Sequence, residues 1–153
     1  DLLYPGLDLE IDAMAFNSDH QRVTLGPAGS KVHDGYFSDS IRASDEIWVG
    51  GQVAQSDAGE VMAPGDIREQ ARIVFQRLRD VLALSDASLD DIVKLNLFFT
   101  ANGEDVKEEL HAAMAIWEEM APNAHPAMTP VRAYELSQPG LLIQVDCIAM
   151  TSI

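Results

Sequence analysis

The stretch that decides the fold covers residues 35–52 and reads GYFSDSIRASDEIWVGGQ. It opens with an aromatic residue and a serine, Phe37-Ser38, and continues through Ile41 and Arg42 into a short apolar segment. That segment ends in Gly-Gly-Gln at positions 50–52. We expect strands over residues 39–42 and 47–52. The glycine pair is not a phosphate-binding loop, because no Lys or Ser/Thr pattern follows it.

Two segments farther along the chain have the apolar spacing of amphipathic helices. The first is predicted over residues 66–85, with Asp66 and Glu69 resembling a capping box at its start. Five polar residues lie largely off its apolar stripe: Arg68, Gln70, Arg72, Gln76 and Arg79. The second is predicted over residues 104–120, and Pro122 follows its end, where a proline does no harm.

The remaining segments predict strands. Residues 92–100 alternate between apolar and mixed positions, which is typical of a strand with one buried face. Further strands are predicted over residues 22–25, 131–136 and 141–150. The order of strands, helix, strand, helix and strands predicts an α+β domain whose mostly antiparallel sheet carries both helices on one face. Assembly with copies of the chain would cover the other face of the sheet.

Composition excludes several classes of protein. The chain has 153 residues, 10 basic and 25 acidic, with a formal net charge of -15. Such a surface repels phosphate, so we expect no nucleic-acid partner and no binding to anionic membranes. No apolar run approaches the roughly 20 residues of a membrane span. The N-terminus has no basic segment typical of a signal peptide.

Cysteine and histidine content bounds the chemistry. Cys147 is the only cysteine, so no internal disulfide can form, which fits a reducing compartment and leads us to expect a cytoplasmic protein. A lone cysteine in a strand usually acts as a small hydrophobe. His20, His33 and His125 lack metal-ligand spacing. We therefore expect neither a metal nor another cofactor.

Many collinear pieces of the chain resemble, in order and spacing, the Rid family of reactive intermediate deaminases, also called YjgF. The resemblance covers about residues 21–150 and includes the Phe37-Ser38 motif and the ending at residues 144–149. It implies a chorismate-mutase-like α+β fold and a homotrimer with small-molecule pockets between subunits. It also implies hydrolysis of enamines and imines of 2-amino acids to 2-keto acids and ammonia.

The chain departs from the family pattern at four pocket positions. The carboxylate-binding Arg of the family follows Pro-Ala, where this chain has Met128, and Met cannot bind a carboxylate. The strand Glu that helps to orient water aligns with Gln144, which can hold a water but cannot accept its proton. The pocket Tyr aligns with Phe37, and a common Ser aligns with Gly50. These changes suggest a different ligand, or none.

Two other side chains are candidates for the missing functions. Arg132 lies four residues after Met128, so a regular strand would put both on one face, although Pro130 makes the register uncertain. Arg132 would hold the substrate, or would instead pair with Glu135 or acids of a neighbouring subunit. His111 would shuttle a proton near neutral pH, or would be a surface residue. We assign Thr129 to the ligand-binding wall beside Met128.

An internal echo bears on domain organisation. Residues 5–16 and 139–150 are identical at five of twelve positions, including the opening Pro-Gly-Leu. Either two amphipathic strands after a Pro-Gly turn look alike by chance, or residues 1–16 are the last strand of a preceding Rid-like repeat. The absence of an initiator Met favours the second reading. Residues 17–21 would then be a linker and residues 22–153 the main domain.

Two functions from different classes follow. The first is a divergent Rid-type hydrolase of a small imine, enamine or related metabolite, with Gln144, His111 and Arg132 as catalytic residues. Phe37 and Met128 would form an apolar wall, and Gly50 and Thr129 would complete the binding site. The second is a non-catalytic small-molecule-binding or assembly domain of a tandem Rid protein. Ribonuclease activity, sometimes attributed to the family, is disfavoured by the negative charge.

Overall fold

The computed structural model describes residues 11, 13–17, 19–23, 37–101 and 106–151. Most of the predicted N-terminal strand segment lies outside the described residues, as do one residue of the linker, the end of the predicted strand at 24–25, His33 and the start of the second helix at Glu104. The described strands are β1 (Gln21–Val23), β2 (Ser40–Ala43), β3 (Glu46–Val53), β4 (Ile92–Phe99), β5 (Ala127–Arg132) and β6 (Ile143–Met150). The described helices are α1 (Ile67–Ala83) and α2 (Val106–Met120).

The strands form one six-stranded sheet in the order β1-β2-β3-β6-β4-β5. All pairs are antiparallel except β4 and β5, which are parallel and are connected through α2. Both helices pack on the same face of this sheet, and α1 contacts β3, β6 and α2. The predicted α+β architecture is therefore confirmed.

Helix α1 begins where the sequence predicts. The Asp66 carboxylate accepts a hydrogen bond of 3.0 Å from the backbone N–H of Glu69, which caps the first turn. Gln70, expected to lie largely off the apolar stripe, is instead fully buried, and its side chain is hydrogen-bonded to backbone groups outside the helix. A buried amide can replace an apolar residue on a stripe when all of its polar atoms find partners.

The hydrophobic core lies between the two helices and the sheet. Phe75 of α1 and Trp117 of α2 meet edge to face, with ring centroids 5.2 Å apart. Alternate residues of the three central strands point into this layer, among them Leu95, Leu97 and Val145, which are fully buried. Cys147 is part of the same core, as expected for a small apolar side chain.

The other face of the sheet, hereafter the open face, carries no described helix. Side chains that alternate with the core positions lie on it: Ile41, Trp48, Lys94, Asn96, Phe98, Thr129, Gln144, Asp146 and Ile148. Phe16, from the segment before β1, contacts Trp48 edge to face at a centroid distance of 5.9 Å. The open face thus mixes apolar and polar groups.

The strand predicted over residues 131–136 was wrong in its bounds. Strand β5 begins at Ala127 and ends at Arg132, so it includes Pro130. An edge strand tolerates a residue without an N–H, and β5 is the edge of the sheet next to β4.

Neither described helix has the length and apolar content of a membrane span.

Candidate functional site

The glycine pair of the opening motif, Gly50-Gly51, forms a β-bulge on strand β3. Val49 pairs with Cys147 and Gln52 pairs with Val145, so the two glycines lie opposite Asp146 alone. Both glycines are exposed. The bulge therefore leaves open backbone in the central part of the sheet, where no side chain of β3 covers its neighbour on β6.

Gln144 lies against this bulge. A Cβ atom at Gly51 would stand 2.9 Å from Nε2 of Gln144 and 3.1 Å from its side-chain carbonyl carbon. A Cβ atom at Gly50 would meet only the backbone oxygens of Ser38 and Asp39, at an ordinary contact distance of 3.6 Å. Glycine at position 51 is thus what allows the half-buried amide of Gln144 to lie where it does.

Buried polar groups form hydrogen bonds to the backbone of the bulge. The Gln52 amide donates hydrogen bonds to Oδ1 of Asp39 at 3.3 Å and to the carbonyl oxygen of Gly50 at 3.2 Å. The backbone N–H of Gly50 donates to the carbonyl oxygen of Asp39 at 2.8 Å. Phe37 precedes this segment and is 60% exposed. These bonds fix the backbone beside Gln144, as a site that must keep its geometry requires.

A second polar group continues from Asp146 across the open face, and we name it the polar row: Asp146, Asn96, Lys94 and Thr129. The Asn96 amide donates a hydrogen bond of 2.7 Å to Oδ1 of Asp146. The Lys94 ammonium donates to Oγ1 of Thr129. Strand register places Asn96 between Asp146 on β6 and Thr129 on β5. A cation and a carboxylate therefore share one face with Gln144.

The carboxyl group of Asp146 is electrostatically unusual. Burial raises its pKa above the ordinary aspartate value, while the hydrogen bond from Asn96 and the positive charge of Lys94 oppose that shift in part. The carboxylate is thus poorly solvated and only partly compensated. Raised carboxyl pKa values are common at sites that move protons, and they also occur in structural networks.

The charge of Asp146 has a consequence for stability. A raised pKa in the folded state means that the folded chain binds this proton more tightly than the unfolded chain, so the free energy of unfolding falls as pH rises from the ordinary value of about 3.9 through the raised pKa. We expect Asp146→Asn to raise the Tm at pH 7 by about 1–3 °C. The gap should close near pH 3, in scanning calorimetry. Asp57→Asn, in an exposed turn, is the control and should leave the Tm unchanged at both pH values. A lower Tm for Asp146→Asn at pH 7 would contradict the sign.

The structure does not bring all predicted site residues together within one chain. The regular register of β5 keeps Met128 and Arg132 on one face, opposite Leu95 and Phe99, which face the helices. Gln144 and Thr129 lie on the open face instead. Arg132 and Gln144 therefore point to opposite sides of the sheet.

Met128 and His111 lie on the helix side of the molecule. Met128 is half-buried against the core and borders a groove of about 550 Å³ between the end of α2 and the start of β5. Trp117, Glu118 and His125 also line this groove. His111 is on the exposed side of α2, away from the sheet. Among the described residues, no three His, Cys, Asp or Glu side chains are grouped so that they could hold a metal ion.

Comparison with known proteins identifies the family. The family model described as Endoribonuclease L-PSP matches residues 30–151. The protein mmf2, mitochondrial, of Schizosaccharomyces pombe is 34% identical over 117 residues, which are 75% of this chain and 87% of that protein. The 2-iminobutanoate/2-iminopropanoate deaminase of Dermatophagoides farinae is 28% identical over 64 residues, which are 42% of this chain and 50% of that protein.

Solved structures agree on the fold. A member of the YjgF/YER057c/UK114 family from Mycobacterium tuberculosis has a TM-score of 0.71 at 21% identity, covering 87% of this chain and 100% of that one. The chain belongs to the Endoribonuclease L-PSP family, which is the Rid or YjgF family of the sequence resemblance. Its chorismate-mutase-like fold is the fold of that family.

Sequence reasoning missed the polar row. Its signal was present, because Lys94 and Asn96 on β4, and Gln144 and Asp146 on β6, are polar residues two positions apart in otherwise apolar strands. Such spacing predicts that each pair shares a face. That β4 and β6 are neighbours, and that Asn96 lies opposite Asp146, is visible only in the sheet order.

Proposed function

We propose that the chain is a divergent Rid-type hydrolase that acts on a small imine, enamine or related metabolite. One observation carries this proposal: the exposed Gly50-Gly51 bulge lies beside the amide of Gln144, so a water molecule can be held between a side-chain amide and open backbone groups. The relative named as a deaminase supports the class of substrate. The proposed reaction needs water and no cofactor.

The proposed site lies where copies of the chain meet in a homotrimer. Trp48, Ile41 and Ile148 give the open face an apolar area that no described helix covers, and packing against a second copy would bury it. Met128, Arg132 and His111 can join a pocket with Gln144 only if they come from another subunit. Assembly is therefore part of the proposed function.

A net charge of -15 argues against RNA as the substrate, despite the word endoribonuclease in the family description.

The cytoplasmic location stays a prediction. It rests on the single cysteine, whereas the fission yeast relative is named as mitochondrial.

The alternative function is a non-catalytic binding or assembly domain of a tandem protein. It is favoured by Met128, which packs against the core where the family resemblance implies a carboxylate-binding Arg.

A turnover assay distinguishes the hydrolase from the binding domain. Purified chain should accelerate hydrolysis of 2-iminobutyrate generated in situ, followed through 2-oxobutanoate formation, with the oligomeric state measured by light scattering. A trimer without any acceleration would leave the binding function as the better explanation.

A pair of glycine variants tests the role of Gln144. Gly51→Ala places a methyl group 2.9 Å from Nε2 of Gln144 and should displace the amide, because the end of a flexible side chain yields first. We expect kcat/KM to fall about 10-fold or more with little change in Tm. Gly50→Ala is the matched control, since its methyl group finds ordinary contacts at 3.6 Å. Activity of Gly51→Ala equal to that of the parent chain would show that the position of Gln144 does not matter.

A further inference from the structure

The polar row contains a cation and a carboxylate, the two kinds of group that are missing from the family positions at Met128 and Gln144. We infer that Lys94 binds the carboxylate of the substrate and that Asp146 accepts and returns the proton of the water held by Gln144. This inference rests on the proposed function and assigns two residues to its reaction. Asp146 follows Gln144 by two residues on β6, so both side chains lie on the open face.

Access to Asp146 comes from the bulge. Because Gly50 and Gly51 together oppose Asp146, strand β3 offers no side chain that would cover the carboxylate on that side. A regular strand with ordinary residues would place one there. Both glycines are exposed, so a small molecule can approach Asp146 and Gln144 from the same direction.

Neighbouring side chains hold the two charged groups, Asp146 and Lys94, in place. The 2.7 Å hydrogen bond from Asn96 engages Oδ1 of Asp146 and fixes the plane of the carboxylate. Lys94 is anchored by its bond to Thr129 on β5 and lies close enough to Asp146 to lower its pKa. An ammonium group binds a carboxylate as a point charge and needs no bidentate geometry. The substrate carboxylate would thus lie at Lys94 and its imine carbon beside Asp146.

The reaction balances with water as the only co-reactant. The water oxygen bonds to the imine carbon, the π pair of the C=N bond moves to nitrogen, and a water proton goes to the Asp146 carboxylate. Asp146 then gives that proton to the nitrogen. The C–N bond breaks as the hydroxyl oxygen forms a carbonyl, and its proton passes to the amino group, which leaves as ammonia. Imine and water become ketone and ammonia.

Burial supports Asp146 in this role, because a carboxyl pKa moved toward neutrality makes both proton uptake and proton return feasible. In the described part of the chain, the groups that face Asp146 from its neighbours are Asn96 and Lys94 on β4 and the two glycines on β3. Lys94 is the charged group among them. The acidic limb of the pH profile should therefore report Asp146.

Three variants of the full chain test the inference with 2-iminobutyrate. Asp146→Asn keeps an acceptor for Asn96 and should lose about 100-fold or more in kcat/KM. Adding Gln144→Glu to Asp146→Asn restores a carboxylate two residues away and should recover at least 10-fold. Lys94→Gln should raise KM about 10-fold and affect kcat less. Asp57→Asn, in an exposed turn, is the control. Light scattering and circular dichroism establish that each variant assembles and folds as the parent does.

A purely structural role of the polar row is distinguishable. It would leave the acidic limb of the pH profile in place, and Gln144→Glu would not rescue Asp146→Asn. Activity of Asp146→Asn within threefold of the parent, with the acidic limb retained, overturns the inference and leaves the proposed function intact.

An inactive parent chain overturns the proposed function, and binding then decides the inference separately. Calorimetric titration with 2-oxobutanoate should show binding that Lys94→Gln weakens at least 10-fold. Absence of binding, or equal binding by the variant, overturns it.

Discussion

Replacing Gln70 by alanine should lower the free energy of unfolding by about 3–5 kcal/mol, the largest effect that we expect of any single polar residue in this fold. The Gln70 amide donates to the carbonyl oxygens of Gly140 at 2.8 Å and Ala63 at 3.2 Å, and its Oε1 accepts from the N–H of Leu142 at 2.8 Å. The side chain is fully buried. Its removal leaves buried backbone groups without partners and opens a cavity.

Two further variants separate the causes. Gln70→Leu nearly keeps the volume and removes only the hydrogen bonds, so a loss close to that of Gln70→Ala would assign the effect to unpaired backbone groups. Gln76→Ala is the matched control, because Gln76 is exposed on the same helix. Its side chain donates to Asp80 at 2.8 Å and accepts from Arg79 at 3.4 Å, both at the exposed surface of that helix. We expect less than about 0.5 kcal/mol for it in urea unfolding. A loss below 1 kcal/mol for Gln70→Ala would mean that water replaces the amide.

Gln70 also matters for the candidate site. Its bonds to Gly140 and Leu142 fix the segment that enters β6, and Gln144 and Asp146 follow within four residues. A shift of one residue in this register would move both side chains to the core face. Variants of Gln70 that still fold should therefore lose activity before they lose secondary structure.

The sequence predicted most of the architecture because local patterns decide it. The helical stripes of α1 and α2, the cap at Asp66 and the alternation of β4 and β6 depend on neighbours in the chain. Two predictions failed because they depend on residues that are distant in the chain. The start of β5 was predicted too late because Pro130 is unusual within a strand, and only the sheet order shows that β5 is an edge strand that tolerates it. The burial of Gln70 was not predicted, because its partners Gly140 and Leu142 are distant in sequence.

The candidate site was less accessible to sequence reasoning. The family resemblance directed attention to Met128 and Gln144, and alternation correctly placed Arg132 on the face of Met128. It could not show that this face is the helix side, because that depends on how β5 pairs with β4. The bulge at Gly50-Gly51, which opens Asp146, arises from the pairing of β3 with β6 and has no signature beyond the two glycines.

The second large predicted effect concerns the reactivity of Cys147. We expect its thiol to react about 1000-fold more slowly in the native chain than in the unfolded chain. Burial raises the pKa of Cys147 to about 12, and the nearby charge of Asp146 adds to the shift. At pH 8 its thiolate fraction is then about 10⁻⁴, against about 0.2 for an unperturbed cysteine. Ellman's reagent measures both rates, because the chain has one cysteine.

The control for thiol access is Asp57→Cys in a Cys147→Ser background, where an exposed turn should give a rate close to that of the unfolded chain. Native Cys147 reacting within 10-fold of this control would mean that β6 opens readily, which would also undermine the fixed geometry of Gln144 and Asp146. Slow reaction instead removes Cys147 as a nucleophile at neutral pH, although it directly follows Asp146 on β6. The chemistry of this strand then depends on the side chains that alternate with the cysteine and face the bulge, so water, rather than a covalent thiol, attacks the proposed substrate.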